Sequence, residues 1–411
     1  MSLCLLWGVG SGNVNADAGV GFSGFGNLGV IHNDSRNLKF HRDYTMDGVP
    51  QGWSANADSL LGLQLDAQLN DRFDALIQVV LKDRVSHQLS DTVEWGFIRY
   101  RPDDNWAIRV GRLGLDLYML SEYRDVSYAY LWARPVPEFY SLISSISKYD
   151  GADISYRRHA GDYLLEAKLA YGTNKADLAG ADQDITIKLN QVYALTLSMS
   201  SAEWLWRVAV AMADTTGMSE PSSELIYALE QVPSQLWPEA AGLAGEIRFE
   251  NRDAVYYAAG VQYDNGDWLV QSELGYTDTN WDMLMPYVSG YLSVGRRIED
   301  FTFYAVYAGV HQTQDVPHVP PPQISPFLPE QAQLELQQLY QGVNYTFMAS
   351  RLEQRSWSLG LRWDFAQDVA LKVQWDNVSI MQPGSSLWVR DNALSHDDQV
   401  QLFSINLSFT F

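Results

Sequence analysis

The chain has 411 residues, a formal net charge of -22, 13% aromatic residues and one cysteine. That charge repels a phosphate backbone and excludes general affinity for nucleic acid. The lone cysteine, Cys4, excludes a disulfide framework and a cysteine-based metal site, and no run of about 18 uncharged apolar residues follows the first few residues, which excludes spanning helices.

The N-terminal stretch reads MSLCLLWGVGSGNVNADAGVGF. Leu3 to Val9 is a short apolar core, and Ala16-Asp17-Ala18 has the small-residue spacing of a cleavage site. Residues 1–18 are expected to be a secretory signal peptide and 19–411 the mature chain. The usual Lys/Arg opening is missing, so the start of the signal is expected upstream of Met1. A buried N-terminal strand is the alternative.

Downstream, short polar turns recur, nearly all followed at once by an aromatic that opens an alternating run. LNDRF opens a run in which Phe73, Ala75, Ile77, Val79 and Leu81 share one face. RPDDNW does the same at Trp106, RHAGDY at Tyr163 and SSAEW at Trp204. DNGDW and RRIEDF repeat it at Trp268 and Phe301, and FAQDV precedes VALKVQW. Period-two alternation after a tight turn predicts a β-hairpin, here about seven of them. Long connections separate them at 33–59, 83–92, 113–149, 172–184, 214–253, 281–286, 313–354 and 381–398. With one strand at Gly19–His32 and one at the C-terminus, the count is about 16 antiparallel strands. Short turns at one end, long loops at the other and an even strand number predict an all-β transmembrane barrel, with periplasmic turns and external loops.

The chain ends on QLFSINLSFTF, where Phe403, Ile405, Leu407, Phe409 and Phe411 point one way. A terminal apolar residue is at ease only if it faces lipid. Phe73, Trp106, Tyr163, Trp204, Trp268 and Phe301 all adjoin short turns, so with Phe411 they are expected to form a periplasmic aromatic girdle at headgroup depth. The intervening residues then line the inside, among them Gln64, Gln78, Arg207, Glu273, Lys372 and Asn406. That interior is too polar for a packed core and fits an aqueous channel. Asp34, Asp43, Asp47, Asp58, Glu220, Glu224, Glu330, Asp397 and Asp398 are expected in external segments, enriching cations at the mouth. Segments SSELIYALEQVPSQLW and PEQAQLELQQLYQG have helical patterning, and DVPHVPPPQISPFLPE is a stiff proline-rich stretch.

The connection at 113–149 is rich in Tyr and Leu, unlike a solvated tip, and the burial site on offer is the barrel interior. At Gly111-Arg112, Ser121-Glu122-Tyr123, Arg134-Pro135, YDGADISYR and Phe411 the chain resembles bacterial porins, more closely the general diffusion porins of Gram-negative bacteria. The resemblance implies that this third external loop folds inward as the constriction. It implies that Asp116, Glu122, Asp125 and Glu138 on the loop face Lys82, Arg99, Arg109 and Arg112 on the wall. Arg124 and Arg134 also lie on the loop and are expected to pair with its own carboxylates. The implied activity is passive diffusion of ions and small hydrophilic solutes across the outer membrane. A substrate-specific channel for a sugar or organic acid is the alternative. The implied partners are lipid, lipopolysaccharide, the barrel-assembly machinery acting on the C-terminal strand, and two further copies in a homotrimer. No metal-ligand spacing, nucleophile elbow or phosphate loop occurs, so no cofactor is expected. An outer-membrane enzyme would need His311 as its base.

Overall fold

Tight turns between alternating runs allow each strand to pair with the next, and the computed structural model bears this out. It describes residues 19–411 except 87, 145, 147, 180–184, 218, 219, 251, 382–386 and 391–398. The expected signal peptide, with Cys4, lies outside the described residues. Strand β1 (Val20–Asn33) leads through the short β2 (Leu38–Phe40) and β3 (Gly52–Ser54) to β4 (Leu60–Gln68) and β5 (Phe73–Lys82). There follow β6 (Val93–Tyr100), β7 (Trp106–Gly114), β8 (Lys148–Ala160), β9 (Tyr163–Leu178) and β10 (Ile185–Ser200). Next come β11 (Trp204–Gly217), β12 (Arg252–Asp264), β13 (Trp268–Thr279), β14 (Tyr287–Ile298) and β15 (Phe301–Gln312). The last are β16 (Glu353–Ala366), β17 (Val369–Ile380), β18 (Trp388–Arg390) and β19 (Gln399–Thr410).

The sheet has 17 strands, of which β3 only extends the far end of β1 at Ile31↔Ser54; the other 16 close on themselves, all antiparallel. Closure runs through β1, which pairs with β4 at Phe25↔Gly62 and with β19 at Val30↔Ile405. The connection expected at 172–184 is shorter, because β9 continues to Leu178 and β10 starts at Ile185.

The turn chemistry fixes where the following strand begins. The side chains of Asn70, Asp103, Ser201 and Asn265 accept the backbone N–H three residues on, at Phe73, Trp106, Trp204 and Trp268. Each polar residue thus ends the turn and sets the first residue of the next strand. Gly161, with φ of 62°, occupies the left-handed region in the hairpin between β8 and β9, and Gly266, with φ of 89°, does so within the Asn265–Trp268 turn.

All seven expected girdle residues are exposed on the outer surface at this short-turn end. Five have a partner ring that the sequence reading missed: Phe73–Tyr100, Trp106–Tyr156 and Trp204–Tyr263 at 4.7 Å, Phe301–Trp363 at 5.6 Å and Phe411–Phe22 at 6.3 Å. At the seam Gly24 exchanges two backbone hydrogen bonds with Phe411, each 2.9 Å. The Phe411 ring covers Gly24, leaving no room for a Cβ there. Phe411→Asp or its deletion is therefore expected to lower the yield of assembled barrel. Heat-modifiable migration and surface abundance equal to the parent protein would refute this.

Large apolar side chains dominate the outer face at mid-strand, including Leu169, Val208 and Leu274. Leu169→Arg or Val208→Arg should cost about 2–4 kcal/mol at the bilayer midplane, while Leu165→Arg, two residues from a turn, should cost about 0–1 kcal/mol. Chemical unfolding in lipid vesicles measures both. Equal penalties at the two depths would be inconsistent with this outer face lying in hydrocarbon.

The long connections carry the helices α1 (Leu89–Thr92), α2 (Pro137–Ser144), α3 (Glu220–Glu230), α4 (Ala240–Ile247) and α5 (Glu330–Ala349). α3 and α5 fall in the segments with helical patterning. α4 was illegible because Gly242 and Gly245 lower helix propensity. Burial of Leu243, Ala244 and Ile247 against Leu229, Val343 and Phe347 overrides that preference and joins two external loops into one helical cap.

Candidate functional site: the third loop inside the barrel

Between β7 and β8, the described residues of the connection turn into the lumen. Leu113, Leu117, Tyr118, Leu131, Trp132 and Tyr140 form the main buried apolar cluster together with the inward-facing Tyr256, Tyr291 and Tyr304 of the wall. An apolar, aromatic loop thus finds burial against tyrosines projecting from the barrel.

Polar ties fix the loop at many points. Arg134 is 1% exposed; its guanidinium lies 2.7 Å from Asp58 and 3.0 Å from Asp376, and it also donates to Ser404. Lys372 on β17 is fully buried and donates to the carbonyls of Ser127, Tyr130 and Trp132 at 2.5–2.8 Å. Asn406 on β19 donates to the Ala133 carbonyl, 2.7 Å. On β13, Glu273 accepts the Met119 N–H at 2.8 Å and the hydroxyls of Tyr140 and Tyr291.

The expected constriction residues fall into distinct groups. Asp125 meets Lys82 at 3.1 Å, bringing one loop carboxylate and one wall cation together. Asp116 lies 2.7 Å from Lys168 and 2.6 Å from Arg207, a cation pair the resemblance did not supply. Glu122 approaches Lys168 at 3.4 Å and remains one-third exposed. Arg109 pairs with Asp153 at 2.6 Å and Arg99 with Asp74 at 2.9 Å, so each has a carboxylate partner within the wall. Arg112 does not face the lumen. It follows the outward parity of Val110 and pairs with Asp150 at 2.8 Å on the outer face. Glu138 is buried and accepts from Gln354 at 2.8 Å. Burial raises its pKa above the ordinary glutamate range.

Arg124 lies 3.6 Å from the loop's own Asp125 and 4.0 Å from Glu94 of β6. Arg134 departs from expectation, since its carboxylate partners come from elsewhere. Asp58, expected at the solvated mouth, is fully buried beneath it. Asp43 is likewise buried, while Asp397 and Asp398 lie outside the described residues. His311 points outward beside Glu353, 3.3 Å away, and so faces away from the lumen.

The closed barrel of 16 antiparallel strands is the fold of the outer-membrane porins. Solved structures with this fold include OmpF of Salmonella typhi in complex with daunomycin, 11% identical, with a TM-score of 0.54 over 95% of this chain and 97% of that one. The anion-selective porin from Comamonas acidovorans is 12% identical, with a TM-score of 0.55 over 96% and 100% of the two chains. The outer membrane channel DcaP of Acinetobacter baumannii is 10% identical, with a TM-score of 0.54 over 96% and 97%. No family model and no curated protein matches the sequence.

Proposed function

We propose that this chain is an outer-membrane porin, conducting ions and small hydrophilic solutes passively, and not an enzyme. The observation that carries the reading is the combination of a lipid-suited outer face with a charged interior crossed by one inserted loop. In this reading the turn-side aromatics lie at the periplasmic headgroup level. Lipid, lipopolysaccharide and the barrel-assembly machinery are its partners, and the assembly is trimeric. One observation favours a selective channel over a general one. The loop is tied to β5 by Asp125–Lys82 and to β13 and β17 by Glu273 and Lys372, so it occupies much of the lumen. Single-channel conductance in planar bilayers, with and without sugars and organic acids, tests both. No conductance would refute the channel. Block by one solute class alone would establish the selective form.

Charge sets a further expectation. The net charge is -22, and Asp34, Asp47, Glu224 and Glu330 are exposed in the long connections. Their field enriches cations at the entrance when the Debye length is about 8 Å, at 0.15 M salt, and is screened when it is about 3 Å, at 1 M. The reversal potential across a salt gradient should reveal weak cation selectivity that fades towards 1 M. Anion selectivity at low salt would defeat this.

A further inference from the structure

The first long connection does not stand in solvent above the barrel. Leu38, Phe40, Met46 and Val49 in it are buried, together with the charged Arg42 and Asp43. Its course explains this. β2 pairs with β18 of the last connection at Phe40↔Trp388, where the two rings meet at 5.4 Å. Leu38, Phe40 and Val49 join one apolar cluster with Val310, Val378, Ile380, Val400 and Leu402 of β15, β17 and β19. The chain leaves that wall at Phe40 and returns at Val49, and the two residues form an antiparallel bridge with bonds of 3.0 and 2.8 Å. The buried Asn33 side chain fastens the same base, donating to the carbonyls of Leu38 and Val49 at 2.8 and 3.0 Å.

Beyond the bridge, residues 41–48 form an arm. It is braced from within, since Nδ1 of His41 meets the Met46 carbonyl at 3.0 Å and Asp43 accepts the Thr45 N–H at 2.9 Å. It passes over α2 of the third loop, where the Ser141 hydroxyl donates to the Arg42 carbonyl at 2.9 Å. The arm ends on other strands. The Tyr44 carbonyl accepts the N–H of Ala179, next after β9, at 2.6 Å, and the Thr45 carbonyl accepts that of Val85, just past β5, at 3.0 Å. β9 and β17 stand eight strands apart in the ring of 16, so the arm bridges the external mouth from wall to wall.

Base and tip differ in what separation costs. Parting the base would expose an apolar cluster and forfeit its dispersion contacts. The tip trades two backbone hydrogen bonds for bonds to water, a nearly balanced exchange. Arg42 and Asp43 recover hydration as the arm lifts, which offsets exposure of Met46. Lys82 and Arg124 attract Asp43, and salt weakens that attraction. An arm braced internally, firm at one end and lightly tied at the other, swings about its base.

We propose that residues 41–48 are a lid, closed in this structure, which swings about the Phe40–Val49 bridge when Tyr44 and Thr45 release Ala179 and Val85. This rests on the channel reading and adds gating to it. The closed lid excludes sugar-sized solutes, and the open lid admits them.

The test uses Thr45→Cys/Val85→Cys in a Cys4→Ser background, joined as a disulfide or through a short bis-maleimide, with a mono-maleimide as control. Swelling of liposomes in an isotonic disaccharide reads solute entry. Cross-linking should slow entry about fivefold, and replacing residues 42–47 with two glycines should raise it about threefold. Equal entry before and after cross-linking, a pair that neither route joins, or a shortened arm with the parent's rate would each overturn the lid while leaving a conducting porin. If neither the parent nor the shortened-arm protein conducts ions in planar bilayers, the channel reading falls, and the lid with it. Heat-modifiable migration certifies that each variant is folded.

Discussion

Arg134→Ala is expected to destabilise the loop–barrel junction by about 3–5 kcal/mol, the range for breaking a buried ion pair by removing one partner. The reason is the geometry around Arg134. Its guanidinium serves two carboxylates, Asp58 at 2.7 Å and Asp376 at 3.0 Å, and Asp58 is fully buried. Truncation leaves both acids without their cation and opens a space beside the Phe40 ring, over which the guanidinium lies at 5.3 Å. Arg134→Lys should recover only part of the loss, since an ammonium cannot bridge two carboxylates with a planar fork. The readouts are the unfolding midpoint in vesicles and protease cleavage within 115–147. A midpoint and cleavage rate matching the parent protein would mean that Arg134 is not the fastener described. Equal behaviour of Arg134→Lys and Arg134→Ala would mean that charge alone carries no part of it.

The barrel was legible because its signals repeat. A polar residue three positions before an aromatic, then alternation, recurs at Asn70–Phe73, Asp103–Trp106 and Asn265–Trp268, and each instance is a local hydrogen bond. Local chemistry can be read from a sequence. The site was legible only in part, because its partners are remote in the chain. Arg134 and Asp376 are separated by 242 positions, and Lys372 and Trp132 by 240. No spacing rule links them. The resemblance supplied the inward loop and the residues on it but assigned Arg112 to the pore, whereas strand parity turns it outward with Val110. Wall glycines gave a signal that could have been used. Gly260, Gly275 and Gly295 interrupt inward-facing positions of three neighbouring strands, and glycine in a strand often marks the close approach of another segment.

Asp116→Ala should cost a similar amount, about 3–5 kcal/mol, by leaving two cations short of their shared anion. Asp116 sits at the start of the loop and meets Lys168 of β9 and Arg207 of β11 at 2.7 and 2.6 Å, while its carbonyl accepts from Thr196 of β10. Three adjacent strands thus converge on one loop residue, so its loss should free the loop's first turn as well as lower stability. Burial by itself would raise the Asp116 pKa, but Arg207 and Lys168 overcome it and hold the carboxyl below the ordinary aspartate range. Stability from a depressed carboxyl is present above the unfolded value, about 3.9, and is lost as pH falls below it through the folded value. The Asp116 tie should therefore persist at pH 5 and weaken only in stronger acid. Glu138 has the opposite sign. Its raised pKa stabilises the fold below the ordinary glutamate value of about 4.3, and that contribution erodes as pH rises through the folded value. Unfolding midpoints from pH 3 to 8 should fall less steeply on the acid side in Asp116→Ala, and Glu138→Gln should decline less steeply on the rising side. An Asp116→Ala profile that still falls in acid with the parent's slope would show that another carboxylate governs the transition. A Glu138→Gln profile superimposable on the parent's would remove Glu138 from the pH response.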